Sequence, residues 1–159
     1  MINFDLVSLL INKNLTISSA ESCTGGLVAK KITDVGGCSK VFYGGVVSYA
    51  NEVKEGVLKV DHSTLEKYGA VSENTAMEMA RGVRELCKTD IGISTTGIAG
   101  PDGGTAEKPV GTVYVGFSYR DELVAFNLKL DPSLSRDEIR NATVQKLLSF
   151  VYDKISQSY

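Results

Sequence analysis

The chain has 159 residues, with 17 basic and 19 acidic side chains, one histidine and a formal net charge of -2. This length suits one domain spanning residues 1–159, because single hydrophobic cores commonly serve chains of about 100–200 residues. The charge balance offers no overall attraction for nucleic acid or anionic lipid. One histidine excludes a His-rich zinc site, a pair of catalytic histidines and an HExxH helix.

Cysteine usage and the N-terminus bear on the cellular compartment. Cys23, Cys38 and Cys87 are an odd number without CxxC spacing, which excludes a disulfide framework and favours a reducing environment. The apolar stretch from Leu6 to Ile11 is too short for a signal or membrane span, and no basic segment precedes it. We therefore expect a cytoplasmic protein that binds neither membrane nor nucleic acid.

The apolar pattern predicts alternating helices and strands in the first half of the chain. In order these are a helix over residues 3–12, a strand over 15–18, a helix over 27–32, a turn over 35–39, a strand over 41–49 and short helices over 51–60 and 63–68.

The second half begins with a longer helix, for which Ser72 is the expected N-cap. The predicted elements are a helix over 72–88, a strand over 91–95, a glycine- and proline-rich loop over 96–108, strands over 110–119 and 122–130 joined by a tight turn, and a helix over 136–154. This alternation predicts an α/β fold whose sheet is covered on both faces, and the hairpin makes that sheet mixed. Ligands in such sheets gather where strands end in loops that lead into helices.

The first loop of this kind is Ser22-Cys23-Thr24-Gly25-Gly26, between a predicted strand and a predicted helix. Free backbone N–H groups and the helix dipole favour an anion at a helix start. The hydroxyls and the thiol allow a nucleophile beside an oxyanion or phosphate site. An ordinary Ser or Thr cap followed by a glycine turn is the alternative, which the local sequence alone slightly favours.

The second loop, from Thr96 to Gly104, has four glycines in nine residues. It contains neither Gly-Lys-Ser/Thr nor GxGxxG, so a P-loop and a dinucleotide site are unsupported. Its length and glycine content favour a backbone that approaches a ligand closely.

The third segment runs from Tyr43 to Lys54, and its end carries Tyr49 and Lys54 just beyond a hydrophobic strand. A lysine is by default a solvated surface charge. The functional alternative requires desolvation to lower the pKa of Lys54, so that a neutral amine can take the proton of a serine.

Four motifs in this chain resemble the C-terminal domain family of the competence/damage-inducible protein CinA, whose stand-alone members include nicotinamide-nucleotide amidases of the PncC type. The motifs are Ala20 to Gly26, Phe42 to Lys54, Gly69 to Ser72, and Thr96 to Gly104 followed by Lys108 to Gly111. The resemblance implies a three-layer α/β/α sandwich with a mixed, mostly parallel sheet. It also implies hydrolysis of the carboxamide of nicotinamide mononucleotide, a small-molecule substrate, to nicotinate mononucleotide and ammonia without a cofactor.

The resemblance also implies the site residues. Ser22 matches the catalytic serine, Lys54 its partner lysine and Tyr49 the tyrosine near that dyad. The substrate-binding positions implied by the family's loops and last helix are Thr24, Gly25, Gly26, Thr96, Gly97, Gly100, Arg136 and Arg140. The chain departs from the family where Leu134-Ser135-Arg136 replaces the usual Gly-Asp-Arg, and where Val35 to Cys38 lacks a proline.

The expected reaction needs neither a metal nor an imidazole. Neutral Lys54 accepts the proton of Ser22 as the serine attacks the carboxamide carbon, and backbone N–H groups near Cys23 to Gly26 or in the glycine loop stabilise the oxyanion. Lys54 then protonates the departing ammonia, water hydrolyses the acyl-enzyme, and Tyr49 relays a proton or orients Lys54. Arg136 and Arg140 suit the substrate phosphate.

Several alternatives stay open. Cys23 rivals Ser22 as nucleophile, since thiolates are intrinsically better nucleophiles. A non-catalytic nucleotide-binding or regulatory module is the alternative function, although it would not need both Ser22 and Lys54. A homo-oligomer, with a dimer as the first expectation, is common among small α/β enzymes. His62 lies in a polar segment, where we expect a solvated or helix-capping role.

Overall fold

A five-stranded sheet forms the centre of the computed structural model, which describes residues 1–158. Its strands are β1 (Ile17–Glu21), β2 (Phe42–Val47), β3 (Ile91–Gly97), β4 (Val113–Tyr119) and β5 (Glu122–Asn127). They lie in the order β2-β1-β3-β4-β5. β1 is parallel to β2 and β3, whereas β4 is antiparallel to β3 and β5. Four strands therefore share one direction, which confirms the mixed, mostly parallel sheet.

Helices cover both faces of this sheet. They are α1 (Ile2–Lys13), α2 (Leu27–Thr33), α3 (Asn51–Gly56), α4 (His62–Tyr68), α5 (Glu73–Cys87) and α6 (Arg136–Ser156), with a 3₁₀ turn at Cys38–Lys40. α1, α2 and α6 pack together on one face, and α5 lies across the other with α4 beside it. The predicted three-layer α/β/α sandwich is confirmed. Within residues 1–158, every helix is too short or too polar to cross a membrane.

Strand β1 differs most from its prediction. The expected strand over 15–18 begins instead at Ile17 and continues to Glu21, and all five of its residues are buried. The polar residues Ser18 and Ser19 hid the strand from an apolar pattern, yet a central strand paired on both sides is covered by helices on both faces. The Ser18 hydroxyl is satisfied there, because its oxygen lies 3.2 Å from the Val83 carbonyl oxygen.

Two helix starts carry the capping chemistry that fixes their position. Ser72 caps α5 as predicted, since its Oγ accepts a hydrogen bond from the Thr75 N–H at 3.1 Å. Ser135 and Glu138 form a reciprocal capping box at the start of α6. This box makes Arg136 the first residue of the helix, which places its side chain at the edge of the sheet where the loops meet.

Helix α5 approaches its neighbours closely because glycines leave room for backbone. A Cβ on Gly92 of β3 would lie 2.1 Å from the Ala80 carbonyl oxygen. On the other side of α5, a Cβ on Gly82 would lie 2.0 Å from the Leu58 carbonyl oxygen. Any side chain at these positions would push α5 away from the sheet or from the segment after α3.

We expect Gly82→Ala to lower the free energy of unfolding by about 1–3 kcal/mol, because the added methyl overlaps rigid backbone in a packed layer. The matched control is Gly56→Ala, whose Cβ would meet no atom within 4 Å, and which should leave that free energy unchanged or raise it by up to about 1 kcal/mol. Urea unfolding followed by circular dichroism measures both changes, and equal stabilities for the two variants would contradict the close packing.

Candidate active site

The ends of β1 and β2 bring Ser22 and Lys54 together. Ser22 directly follows β1, whereas Lys54 lies in α3, the helix that follows β2. The Lys54 side chain is only 1% exposed, and its Nζ lies 3.1 Å from Ser22 Oγ. The same Nζ donates to the carbonyl oxygens of Ser48 at 2.7 Å and Tyr49 at 3.1 Å. Two segments far apart in the chain thus form one polar cluster in a buried setting.

The electrostatic surroundings of Lys54 favour its neutral form. Burial lowers the pKa of Lys54 below its ordinary value of 10.5, because a low-dielectric environment disfavours the charged amine. The ion pairs formed among residues 1–158 do not include Lys54. A neutral amine has two N–H groups and one lone pair. The charged amine donates to Ser22 Oγ as well, whereas in the neutral form the N–H groups bonded to Ser48 and Tyr49 leave the lone pair for the Ser22 hydroxyl.

Cys23 has the opposite properties from an activated nucleophile. Its thiol is 5% exposed and packs among apolar residues that include Ala99 and Ile139. Burial is the main reason that its pKa rises to about 12. Since the thiolate is the reactive form, a thiol held protonated at neutral pH is a poor rival to Ser22.

Glu21 is a site residue that the sequence analysis missed. Its carboxylate is 1% exposed and occupies the N-terminus of α2, where it accepts hydrogen bonds from the N–H groups of Gly26, Val28 and Ala29 at 3.2, 2.8 and 3.1 Å. The anion site predicted at this helix start is therefore filled by the protein's own carboxylate and is closed to a substrate phosphate. A glutamate directly before the Ser-Cys-Thr-Gly-Gly loop was the available signal.

Hydrogen bonds within the Ser22 loop show which of its N–H groups are already bonded and which could act as oxyanion donors. The N–H of Gly25 donates to the Ser22 carbonyl oxygen at 3.0 Å, and that of Gly26 to Glu21. Within residues 1–158, the N–H groups of Cys23 and Thr24 donate to no protein oxygen. These two groups follow Ser22 directly and are the candidate oxyanion donors of the loop.

The two threonines expected to bind substrate have buried hydroxyls that are already paired. Thr24 Oγ1 donates to Glu21 Oε1 at 2.6 Å and lies 2.7 Å from Thr95 Oγ1. Thr96 Oγ1 donates to the Ala70 carbonyl oxygen at 2.7 Å. Both hydroxyls hold loops in place, and substrate binding at Thr24 and Thr96 stays a prediction.

The glycines expected at the site allow backbone turns and close backbone contacts. Gly25 and Gly26 have φ values of +57° and +105°, which turn the chain back over Glu21. A Cβ on Gly97 would lie 2.7 Å from the Thr112 carbonyl oxygen, so this glycine lets the two ends of the glycine loop meet. Gly100 contributes its carbonyl oxygen, which accepts a hydrogen bond from Arg136 Nη1 at 2.8 Å.

The motif from Gly69 to Ser72 anchors the glycine loop. Besides the Thr96 contact to Ala70, the ammonium of Lys108 donates to the carbonyl oxygens of Tyr68 at 3.1 Å and Val71 at 2.5 Å. These bonds tie the far end of the loop to the segment between α4 and α5. Lys108 belonged to a predicted motif, but nothing in its spacing indicated this anchoring contact.

Arg136 and Arg140 lie one turn apart at the start of α6 and face the two loops. Arg140 Nη2 donates to the Thr24 carbonyl oxygen at 3.0 Å, and its buried Nε has no hydrogen-bond partner among the described residues. Neither guanidinium forms an ion pair with a carboxylate within residues 1–158. Arg140 therefore contacts the Ser22 loop directly and Arg136 contacts the glycine loop, and guanidinium groups in these positions suit an anionic ligand.

Tyr49 contacts Lys54 through its backbone and not through its phenol. Its side chain is 59% exposed, and its hydroxyl accepts a hydrogen bond from Arg136 Nη2 at 2.9 Å. The contact between Tyr49 and Lys54 is made by the Tyr49 carbonyl oxygen, and a proton relay through the phenol stays a prediction. The phenol links the end of β2 to the start of α6.

His62 lies outside this cluster. It is the first residue of α4, its side chain is 71% exposed, and it contacts the carboxylates of Glu55 and Glu66. The expected solvated position is confirmed, whereas the residue at the N-cap is Asp61.

Comparison with known proteins gives the family. The family model described as the CinA C-terminal domain matches residues 2–155. The chain belongs to the CinA C-terminal domain family. A relative from Thermoanaerobacter sp., whose name refers to competence-damage induction, is 59% identical over 146 residues, which are 92% of this chain and 35% of that protein. A CinA-like protein of Kosmotoga olearia is 53% identical over the same shares.

Solved structures of the same superfamily share the fold. The competence/damage inducible protein CihA from Agrobacterium tumefaciens superposes with a TM-score of 0.91 at 37% identity, covering 99% of this chain and 97% of that one. A CinA superfamily protein from Klebsiella pneumoniae gives 0.94 at 28% identity with the same coverage. The chain spans about a third of the length of the curated relatives that it matches, as the 35% share shows.

In this CinA C-terminal domain each of the four motifs contributes a different part of the candidate site or of its support. The first motif supplies Ser22 and the second supplies Lys54. The glycine loop closes the opposite side through Gly100 and Arg136. The Gly69 to Ser72 motif stays outside the polar cluster and holds the loop.

We expect Cys23 to resist iodoacetamide in the native protein, because its thiol is buried and its pKa is raised to about 12. Cys38, which is only partly buried, serves as the internal comparison and should be modified first. Peptide mass spectrometry after short treatment at mildly alkaline pH, with an unfolded sample as the positive control, measures both. Modification of native Cys23 at the rate of Cys38 would restore the thiol as a candidate nucleophile.

Proposed function

We propose that this CinA C-terminal domain hydrolyses the carboxamide of nicotinamide mononucleotide to nicotinate mononucleotide and ammonia. The observation that carries the proposal is the 3.1 Å approach of Ser22 Oγ to the buried Nζ of Lys54. A serine beside a neutral amine is a nucleophile beside a general base, and this pair suffices for acyl transfer without a metal or an imidazole.

In the first half of the reaction Ser22 attacks the carboxamide carbon. The Ser22 Oγ–H gives its proton to the Lys54 lone pair while the new C–O bond forms. The carbonyl oxygen becomes an oxyanion, for which the N–H groups of Cys23 and Thr24 are the candidate donors. Preorganised donors of this kind contribute about 10²–10³ in rate each.

In the second half the proton moves from Lys54 to the amide nitrogen, the C–N bond breaks and ammonia leaves. Water then attacks the nicotinoyl ester of Ser22, with Lys54 again accepting a proton. The ester bond breaks, and the proton returns to Ser22 Oγ. The carbonyls of Ser48 and Tyr49 keep the amine aimed at Ser22 through both halves.

The charges around the loop support a substrate that carries a phosphate. The N-terminus of α2 is occupied by Glu21, so the phosphate needs another partner. Among the described residues, Arg136 and Arg140 form no ion pair with a carboxylate, and guanidinium pairs well with phosphate. Arg136 already holds Gly100 and the Tyr49 phenol, so it would join substrate binding to the position of both loops.

A non-catalytic nucleotide-binding module is the alternative function. Such a module would use the same arginines and glycine loop, but it would have no use for a buried lysine beside a serine. Burying a lysine amine carries a desolvation cost of several kcal/mol if the amine stays charged. The Ser22–Lys54 contact therefore favours the enzyme over the binding module.

We expect Ser22→Ala and Lys54→Met each to reduce ammonia release from nicotinamide mononucleotide by at least about a hundredfold, as loss of a nucleophile or of its general base does. The matched control is Lys146→Met, which removes an exposed lysine of α6 and should keep wild-type turnover. A coupled assay for ammonia gives the rates, and circular dichroism checks the fold. Undiminished release from folded Ser22→Ala would contradict the proposal, and nucleotide binding without ammonia release by the wild type would favour the binding module.

We expect kcat/KM to rise with pH from acidic to alkaline buffers and to level off above the pKa of Lys54, which burial holds below 10.5. The sign follows because protonated Lys54 has no lone pair for the Ser22 proton. Lys54→Arg should be inactive at every pH, since a guanidinium stays charged. A profile for the wild type that falls with rising pH would exclude Lys54 as the base.

A further inference from the structure

Glu21 makes more contacts with the Ser22 loop than a cap for a short helix needs. Besides the N–H groups of Gly26, Val28 and Ala29, its Oε1 accepts the hydroxyl of Thr24 at 2.6 Å. All four partners donate, so both side-chain oxygens of Glu21 act as acceptors. Four donors therefore satisfy a side chain that is almost completely buried.

The loop folds back over the residue that precedes it. Ser22 leaves β1 with its N–H bonded to the Thr95 carbonyl oxygen at 3.0 Å. The next residues then turn at Gly25 and Gly26, where φ is positive, and return their N–H groups to Glu21. The carboxylate thus lies at the centre of the turn. Strand β1 fixes the position of Glu21, Glu21 holds the loop, and Ser22 lies where the strand passes into the loop.

Thr24 is held from three directions. Its hydroxyl contacts Glu21 and Thr95, and its carbonyl oxygen accepts from Arg140 at 3.0 Å. These contacts orient the peptide units on both sides of Thr24. Its own N–H and that of Cys23 donate to no oxygen within residues 1–158.

We propose that Glu21 is a positioning residue for catalysis: its carboxylate holds the Ser22–Gly26 loop so that Ser22 Oγ faces Lys54 and the Cys23 and Thr24 N–H groups face the developing oxyanion. The inference rests on the proposed acyl-enzyme chemistry of Ser22 but not on the identity of the substrate. Glu21 touches no reacting atom and acts through the loop.

A positioning role and a capping role differ in what they change. A cap contributes to the free energy of unfolding, and its loss costs about 0.5–2 kcal/mol without altering a folded site. Loss of a positioning contact misaligns donors that act only in the transition state. It therefore lowers kcat with little effect on KM.

The test compares wild type with Glu21→Gln, a substitution of nearly the same size. Glutamine keeps one acceptor oxygen and replaces the other with an NH₂ group, which must face one of the four donors. The matched control is Glu85→Gln, an exposed residue of α5 that should behave as wild type in every assay.

Two readouts separate this inference from the proposed function. The first is the rate at which a fluorophosphonate labels Ser22: the Oγ–P bond forms, the P–F bond breaks, fluoride leaves and the serine proton passes to Lys54. The second is kcat and KM for nicotinamide mononucleotide. For Glu21→Gln we expect labelling and kcat both to fall at least about tenfold with KM within about twofold, since misplaced oxyanion donors act on the transition state alone.

Each outcome has a distinct meaning. Folded Glu21→Gln that labels and turns over like wild type overturns the positioning role, and so does a rise in KM at constant kcat. If Glu21→Gln does not fold, Thr24→Val removes one of the four contacts, and wild-type labelling of that variant overturns the role equally. Wild-type labelling without ammonia release would refute the substrate, and the comparison of labelling rates then decides the role of Glu21 alone. Absence of Ser22 labelling in the wild type overturns both proposals.

Discussion

The desolvated amine of Lys54 is the constraint on which the rest of the site depends. A lysine without a carboxylate partner is stable in a buried position only if its amine is largely neutral or fully hydrogen-bonded. Lys54 has features of both kinds: two backbone carbonyl oxygens accept its N–H groups, and burial lowers the pKa of its amine. The segment from Ser48 to Lys54 must therefore keep one geometry, since a small displacement would leave a buried polar group unpaired.

The topology of the sheet explains why Lys54 meets Ser22 at all. β1 lies between β2 and β3, and all three run in the same direction. Their carboxyl ends therefore reach one edge, where the Ser22 loop, the start of α3 and the glycine loop emerge side by side. Arg136 completes the edge from α6, and its bonds to Gly100 and to the Tyr49 phenol join the two outer loops.

Several buried polar residues near Ser22 and Lys54 stabilise the loops of the candidate site. Glu21 fills a helix start that would otherwise attract an anion, and Thr24 and Thr96 use their hydroxyls to hold loops. The consequence is that the Ser22 hydroxyl and the Lys54 amine are held together, while Arg136 and Arg140 donate to backbone carbonyl oxygens of the two loops. This pairing has a physical reason, because a buried donor or acceptor without a partner lowers the free energy of unfolding.

Local sequence patterns predicted those elements whose hydrogen bonds and caps come from neighbouring residues in the chain. The helix over 72–88 with its Ser72 cap needs only apolar spacing and a side chain beside its own backbone. The strand that ends at Glu21 was harder, because Ser18 and Glu21 look like surface residues until the layers on both sides are known. The kind of contact that Tyr49 makes with Lys54 was open for a related reason, since a sequence does not say whether a residue acts through its side chain or its carbonyl.

The amino-acid sequence by itself determined the α/β class, the order of its motifs and the residue types that could carry amide hydrolysis without a metal. With one histidine, it also excluded a pair of catalytic histidines and a His-rich zinc site. Only the tertiary structure decided that Lys54 is buried beside Ser22, that Cys23 is held protonated, and that Glu21 occupies the helix start. The physical reason is that burial and hydrogen-bond partners set the charge state of these groups, and both arise from segments that meet only when the sheet is assembled.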